Sequence, residues 1–244
     1  TWATRTMLPW MQRGRLLIAD TRHAHVRRVD ADGVIRTVVG TGFAWDLGDG
    51  GPALGASVVH VETIAVGPDT ALYLGDAIGR IRRVDPNTGL IATIAGTGIP
   101  GYSGDGGPAT QARIGTPTAI CFDGAGNLYF ADRAYHVIRR VTRQSGRIDT
   151  LIGNGQPGFT PDGERGTMAL LDTPWGLEVD PDGSLYIADS GNNRVRRLRP
   201  GGRLETLLGA GALRLNEPHG LLRYAPHVLL VSDHFNNRVL AVAI

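Results

Sequence analysis

The sequence contains no lysine: all 25 basic residues are arginine, set against 23 acidic residues. That near-balance leaves a net charge of +2 and a pI of 9.0. The arginines are spread along the chain rather than gathered in blocks, which argues against a concentrated nucleic-acid-binding surface. Cysteine occurs once, at Cys121, so no internal disulfide can form. No apolar run approaches the ~20 residues of a membrane-spanning helix. The opening TWATRTMLPW lacks the basic-then-apolar layout of a signal peptide. Because the chain starts with Thr, it reads as processed or excised, and a secreted or periplasmic location is the expectation. Helical periodicity is also absent over any useful length.

What the 244 residues do contain is a repeat. An apolar tag ending in Asp recurs five times, as LLIAD, LYLGD, LYFAD, LYIAD and LLVSD, with the carboxylates at Asp20, Asp76, Asp132, Asp189 and Asp233. Each tag is preceded by a second short apolar run across a Gly/Asp turn and followed by an arginine-rich third one (HVRRV, IRRV, VIRRV, RVRRL, RVLAV). Four units add a fourth segment: VIRTVVG, LIATIAG, RIDTLIG and RLETLLG. Short segments rich in Val, Ile, Leu and Thr between Gly, Asp and Asn turns are strands. Four strands per unit of ~45 to 56 residues predict a β-propeller blade. The units run roughly 5–45, 60–100, 116–156, 173–210 and 217–244 within one domain spanning 1–244.

The stretches PWGLEVDPDGSLYIADSGNNRVRRL (174–198) and TPTAICFDGAGNLYFADRAYHVIRRV (116–141) resemble NHL repeats, and the linker GTGIPGYSGDGGPATQARI resembles connectors of bacterial multi-repeat NHL proteins. The resemblance implies an all-β propeller of NHL-type blades. Five repeats are visible, so the ring is five-bladed, or six-bladed if a blade is supplied elsewhere. The last unit ends after its third strand. Thr1 to Arg5 is too short to supply the missing one, because a rim-to-hub crossing of ~14 Å uses four or five residues. An exposed edge at that seam invites a partner strand or an oligomer.

Three connectors, GTGFAWDLGDGGPA, GTGIPGYSGDGGPA and GNGQPGFTPDGERG, place Asp49, Asp105 and Asp162 among glycines with Trp45, Tyr102 and Phe159 nearby. They are expected as top-face loops, serving either a ligand rim or turn caps with glycines at positive φ. A phosphate loop is excluded, since no Lys-Ser/Thr and no helix follows. The connector before the last unit, GAGALRLNEP, is shorter and should leave an opening. At the channel mouth Glu62, Thr118, Trp175 and His219 occupy equivalent positions, with His60 beside them, and form the candidate ligand-contacting set. No nucleophile elbow or catalytic triad order is present, and Cys121 reads as a structural thiol in an inner strand.

The expected function is therefore a non-catalytic interaction or scaffold module that binds a protein or peptide through its top face. The alternative is a metal-dependent lyase or hydrolase at the channel mouth. An NHL-type amidating lyase would imply a zinc held by three His, of which only His60 and His219 are well placed. RNA binding ranks third, because the connectors there carry Asp. No cofactor is required by this reading, with Ca or Zn the ions a metal site would take.

Overall fold

The computed structural model describes residues 15–43, 45, 48–211 and 213–244. The expected inner strand of the first unit, residues 6–10, and the N-terminal approach to the seam lie outside the described residues. Each repeat folds as an antiparallel meander, and the five sheets form a five-bladed β-propeller. Blade 1 holds β1 (Leu16–Asp20), β2 (His25–Val29) and β3 (Ile35–Val39). Blade 2 holds β4 (Val61–Val66), β5 (Leu72–Asp76), β6 (Arg80–Val84) and β7 (Ile91–Ala95). Blade 3 holds β8 (Pro117–Phe122), β9 (Leu128–Asp132), β10 (Val137–Val141) and β11 (Ile148–Ile152). Blade 4 holds β12 (Pro174–Val179), β13 (Leu185–Asp189), β14 (Arg194–Leu198) and β15 (Leu204–Leu208). Blade 5 holds β16 (Pro218–Ala225), β17 (Val228–Asp233) and β18 (Arg238–Ala243), and among the described residues it lacks an outer strand, as the sequence predicts.

Strand alternation explains where the core sits. Successive side chains face opposite sides of a blade, so each tag sends one set of residues to the preceding blade and the other to the following one. Val26 and Leu17 of blade 1 pack with Ile64, Leu74 and Ile91 of blade 2. The same positions are reused between blades 2 and 3, where Ile81 meets Phe130 and Ile148, and between blades 3 and 4, where Ile138 meets Ile187 and Leu204. Tyr186, Ala188 and Val195 of blade 4 then meet Leu221, Leu229 and Val231 of blade 5. The hydrophobic cores thus lie between blades, which is why one repeat cannot fold alone.

The tag aspartates hold the hub. Asp132 is fully buried and accepts the backbone N–H groups of Gly115 (2.7 Å) and Thr116 (3.1 Å) at the entry to β8. Asp189 accepts Asp172 N–H and Asp233 accepts Asn216 N–H, each at 2.7 Å. Burial pushes the Asp189 carboxyl up to about 6 even though these donors favour the charged form. The following turns close in the left-handed region, at Ala24, His136, Asn193 and Asn237, which accounts for the Asn-rich turns after the tags.

Three arginines of the third strands are buried whole. Arg82, Arg139 and Arg196 are 1%, 0% and 0% exposed. Each follows a register shift between third and fourth strands, at Ile81/Arg82, Ile138/Arg139 and Val195/Arg196, and such bulges re-aim a side chain. Each meets the connector carboxylate that enters its own blade: Arg82 to Asp49 at 2.6 Å, Arg139 to Asp105 at 2.6 Å and Arg196 to Asp162 at 3.2 Å. The guanidinium also donates to connector carbonyls, namely Ser57 (2.8 Å), Ser103 (2.9 Å) and Thr160 (3.1 Å). Gly104, at φ 94°, has no room for a Cβ, which would fall 2.6 Å from the Ala112 methyl.

The connectors, expected from the sequence as top-face loops, are held by these ion pairs. They run down the groove between blades and clasp the outer strand of the following blade, with Gly50 N–H to Ile91 O (2.8 Å), Gly106 N–H to Ile148 O (2.8 Å) and Gly163 N–H to Leu204 O (2.9 Å). The physical reason is the charge of the buried arginine, which draws the Asp inward. Removing one partner of such a pair leaves an uncompensated buried charge. Asp105→Ala is expected to lower unfolding free energy by roughly 2–4 kcal/mol, and Asp105→Ala/Arg139→Leu by clearly less than the sum of the single changes. Denaturant unfolding of the four proteins in this cycle checks it.

Candidate functional site at the hub

The second residue of each of the four described inner strands is a bulge. The register shifts between Val61/Thr63, Pro117/Ala119, Pro174/Leu177 and Pro218/Leu221, so Glu62, Thr118, Trp175 and His219 all leave the ladder at the same height. Three of them are brought together. Buried Thr118 donates to the carbonyls of Pro174 (3.2 Å) and Trp175 (3.0 Å), fixing the backbone beneath the indole. The indole stacks on His219, with ring centroids 4.2 Å apart and planes 7° from parallel. His60 is exposed and, at φ 45°, in the left-handed region, while Glu62 is half-buried on the same blade. No contact joins either of them to the Trp175–His219 pair among the described residues.

Two residues the sequence reading missed extend the stack in both directions. The Arg133 guanidinium lies 4.6 Å over the Trp175 ring, a cation–π contact. On the other side His234 stacks on His219 at 4.3 Å and 12°, and Phe235 leans on His234 at 4.6 Å and 55°. Arg133 and His234 are the residues that follow the tag aspartates of blades 3 and 5, so the signal was positional: in both blades the turn between the second and third strands points at the hub. The column Arg133–Trp175–His219–His234–Phe235 therefore crosses three blades.

Its electrostatics follow from crowding. Burial pushes the His219 imidazole down to about 4, with His234 and Arg133 adding to the effect, so it is neutral near pH 7. Its Nε2 is buried without a hydrogen-bond partner, Glu217 being 3.8 Å away. An orphaned polar atom of this kind is normally satisfied by a ligand or water. At the outer end Phe235 is 56% exposed, which leaves an open aromatic edge.

The connector residues play another part. Tyr102 bonds the Thr150 hydroxyl at 3.1 Å, stacks with Tyr135 and lies 5.4 Å from the Arg139 guanidinium. Phe159 sits under Arg194 at 4.3 Å and Arg196 at 5.1 Å. These rings therefore pack on the blade that follows rather than on their own. Trp45 is exposed. The shortened connector before blade 5 leaves an open recess of about 600 Å³ lined by Leu213, Arg214, Leu215, Asn216, Asn236 and Arg238.

The family model described as the NHL repeat matches residues 171–198, the segment that carries Trp175 and the LYIAD tag. The chain is an NHL-repeat β-propeller. Its sequence is 30% identical over 174 residues to Protein SUPPRESSOR OF QUENCHING 1, chloroplastic, of Arabidopsis thaliana, covering 68% of this chain and 16% of that protein. It is 35% identical over 175 residues to Teneurin-1 of Gallus gallus, covering 63% of this chain and 6% of that protein. The propeller thus spans only a small part of the curated relatives it matches. Among solved structures, an auxiliary nutrient binding protein from Bacteroides ovatus superposes with a TM-score of 0.70 at 18% identity, over 98% of this chain and 58% of that one.

The NHL propeller has a second feature that its repeats do not announce. Below the aromatic column the inner strands enclose a cavity of about 890 Å³, lined among the described residues by Ile64, Cys121, Phe122, Leu177, Glu178 and Leu222, among others. Glu178 and Cys121 occupy the same position on neighbouring inner strands. Burial pushes the Glu178 carboxyl up to about 7, Arg223 opposing and Asp180 adding to it. Burial likewise pushes the Cys121 thiol well up, with Glu178 and Asp123 contributing, so the thiol is a poor nucleophile. The sequence reading passed over Glu178 because it stands among apolar residues of a strand.

A carboxyl raised in the folded state loses stability as pH rises from its unfolded value near 4.5 to its folded value of about 7. Glu178→Gln is therefore expected to raise stability at pH 8 by on the order of 2 kcal/mol and to change it little at pH 4. Thermal unfolding at the two pH values measures this.

Proposed function

We propose that this propeller is a binding module that takes a protein or peptide partner on the hub of its top face, with the aromatic column as the contact. The observation that carries the reading is the column itself: an arginine, a tryptophan, two histidines and a phenylalanine aligned across three blades. Trp and Arg dominate the energetics of protein interfaces because they offer large, rigid contact area with a polar handle. Thr118 and the bulged inner strands hold Trp175 in place before binding, so little ordering cost remains to be met on association. The nutrient-binding role named for the Bacteroides ovatus protein accords with a propeller used for binding.

The enzyme alternative asks for a metal at the channel mouth. Among the described residues no group of three or more His, Cys, Asp and Glu side chains is placed to hold one. His219 is committed to the stack and His60 stands apart from it, so we derive no step through a metal. For RNA, a concentrated basic face would be needed. The arginines are instead spent in ion pairs, including Arg82, Arg139, Arg196, Arg83 with Asp69, and Arg197 with Glu205.

Selection of a displayed peptide library on the immobilised propeller tests the proposal. Peptides recovered with the unchanged protein are expected to lose at least about tenfold in affinity against Trp175→Ala and against Phe235→Ser. Both variants should keep the melting temperature within a few degrees. Binders indifferent to both substitutions would place the contact elsewhere.

A further inference from the structure

Among the described residues four arginines lie against aromatic rings, and they are of two kinds. Arg139 on Tyr102 and Arg196 on Phe159 are fully buried, and each is completed by the carboxylate of its connector, Asp105 and Asp162. Arg133 on Trp175 and Arg194 on Phe159 are half-buried, 4.6 Å and 4.3 Å from their rings. No carboxylate among the described residues lies within ion-pair distance of either. Arg194 donates one hydrogen bond, to the Asn192 carbonyl at 2.8 Å. Inside the propeller a guanidinium on a ring is thus paired with an acid, whereas on the top face the same two groups meet without one.

Both stand on one boundary, that between blades 3 and 4. Arg133 opens the turn from β9 to β10 in blade 3 and reaches across to Trp175 at the start of β12. Arg194 opens β14 of blade 4, and its ring partner Phe159 belongs to the connector that runs from blade 3 to blade 4. Asn192 fixes the blade 4 turn to that connector, donating to Gly158 O at 2.8 Å and to the Asp189 carboxylate at 2.9 Å. On the blade 3 side His136 Nδ1 accepts Thr173 N–H at 3.0 Å. The turns that carry the two arginines are therefore held by contacts within the protein, and the guanidinium of Arg133 donates to no described group.

The neighbouring carboxylates face other groups. Asp105 and Asp162 are drawn to buried arginines, and Asp132 and Asp189 accept backbone N–H groups at the entries to β8 and β12. Asp172, just ahead of β12, lies 3.5 Å from His136, and Glu217 lies 3.8 Å from His219. His219 itself is neutral near pH 7, so the permanent charge of the aromatic column is that of Arg133. A guanidinium lying on a ring keeps its N–H edge free, and that planar fork matches a carboxylate through two parallel hydrogen bonds. The stacking also sets its orientation in advance, so less freedom is lost when an acid pairs with it.

We infer that the peptide taken at the hub is acidic: one carboxylate closes on Arg133 beside Trp175, and a second, on the same boundary of blades 3 and 4, closes on Arg194 beside Phe159. This rests on the peptide-binding role of the hub and adds to it the charge of the partner. Phe159 is 40% exposed, and its ring and the Trp175 indole offer apolar faces to the side chains that flank each acid. Carboxylates suit the site better than a chain of phosphates. Two guanidiniums on separate elements, each against its own ring, do not form the continuous basic stripe that a polynucleotide backbone follows.

Selection of a displayed random peptide library on the immobilised, unchanged propeller tests this. The recovered peptides are expected to carry at least about twice the Asp and Glu content of the unselected library, and their Asn and Gln versions should bind about tenfold more weakly or worse. Arg133→Met and Arg194→Met keep an apolar side chain on each ring, and each should weaken the acidic peptides about fivefold or more without moving the melting temperature by more than a few degrees. Arg133→Glu combined with Arg194→Glu should turn the selection toward Lys- and Arg-rich peptides. Peptides that depend on Trp175 and Phe235 but on neither arginine nor their own acids would overturn this inference and leave the hub as a peptide site. Acidic peptides that depend on the arginines but on neither Trp175 nor Phe235 would uphold the recognition of acid and remove the column as the contact. A short oligouridine that displaces the peptides at a concentration below their own would assign the cations to phosphate and overturn the inference, and recovery of no binder would overturn both.

Discussion

The buried pair between a third-strand arginine and the aspartate of the incoming connector is the constraint on which the rest of the propeller depends. A charge fully withdrawn from water is tolerated only when it is paired and hydrogen-bonded, and here the partners come from the segment that links one blade to the next. The pair therefore fixes two things at once. It determines how the connector crosses the groove, and it determines the register of the outer strand that the connector clasps. The glycines around each Asp follow from this, since the loop must turn at positive φ and pass close to the next backbone.

With the rim locked, the hub is free to differ from blade to blade. Each described inner strand bulges at its second residue, and the backbone carbonyls beside the bulge accept inter-blade hydrogen bonds from side-chain hydroxyls, Val61 O from Thr21 (2.8 Å) and Pro218 O from Ser190 (2.5 Å). Side chains at the bulge are thereby released from sheet packing. In blades 4 and 5 that freedom is used for an indole and an imidazole in contact, flanked by groups from the turns above. The repeat supplies a rigid frame, and its exceptions supply the surface with chemical character.

The channel beneath shows the cost of such a frame. Inner strands packed around an axis leave a space that side chains do not fill, and a carboxyl that faces it, such as Glu178, is held near neutrality by the lack of water and of a dedicated cation. The aromatic column and the channel carboxyl are thus two consequences of one architecture, one at the mouth and one within.

Much of this was legible in the residues. The five tags, their spacing and the turn chemistry follow from local pattern, because strand propensity and glycine stereochemistry act over a few neighbours. The equivalence of Thr118, Trp175 and His219 was legible for the same reason. Yet the constant offset of 33 or 34 positions between each connector Asp and its arginine was not read as an ion pair, since sequence separation carries no distance. Nor could sequence reveal that Arg133 and His234 close on Trp175 and His219, or that Tyr102 and Phe159 lean on the blade ahead. Those contacts join different repeats, and only the packing of one blade on another brings them within reach. The repeat fixed what each blade is, and the tertiary structure decided which charges and rings of neighbouring blades face one another, because burial and pairing are properties of the interface between blades and not of any single one.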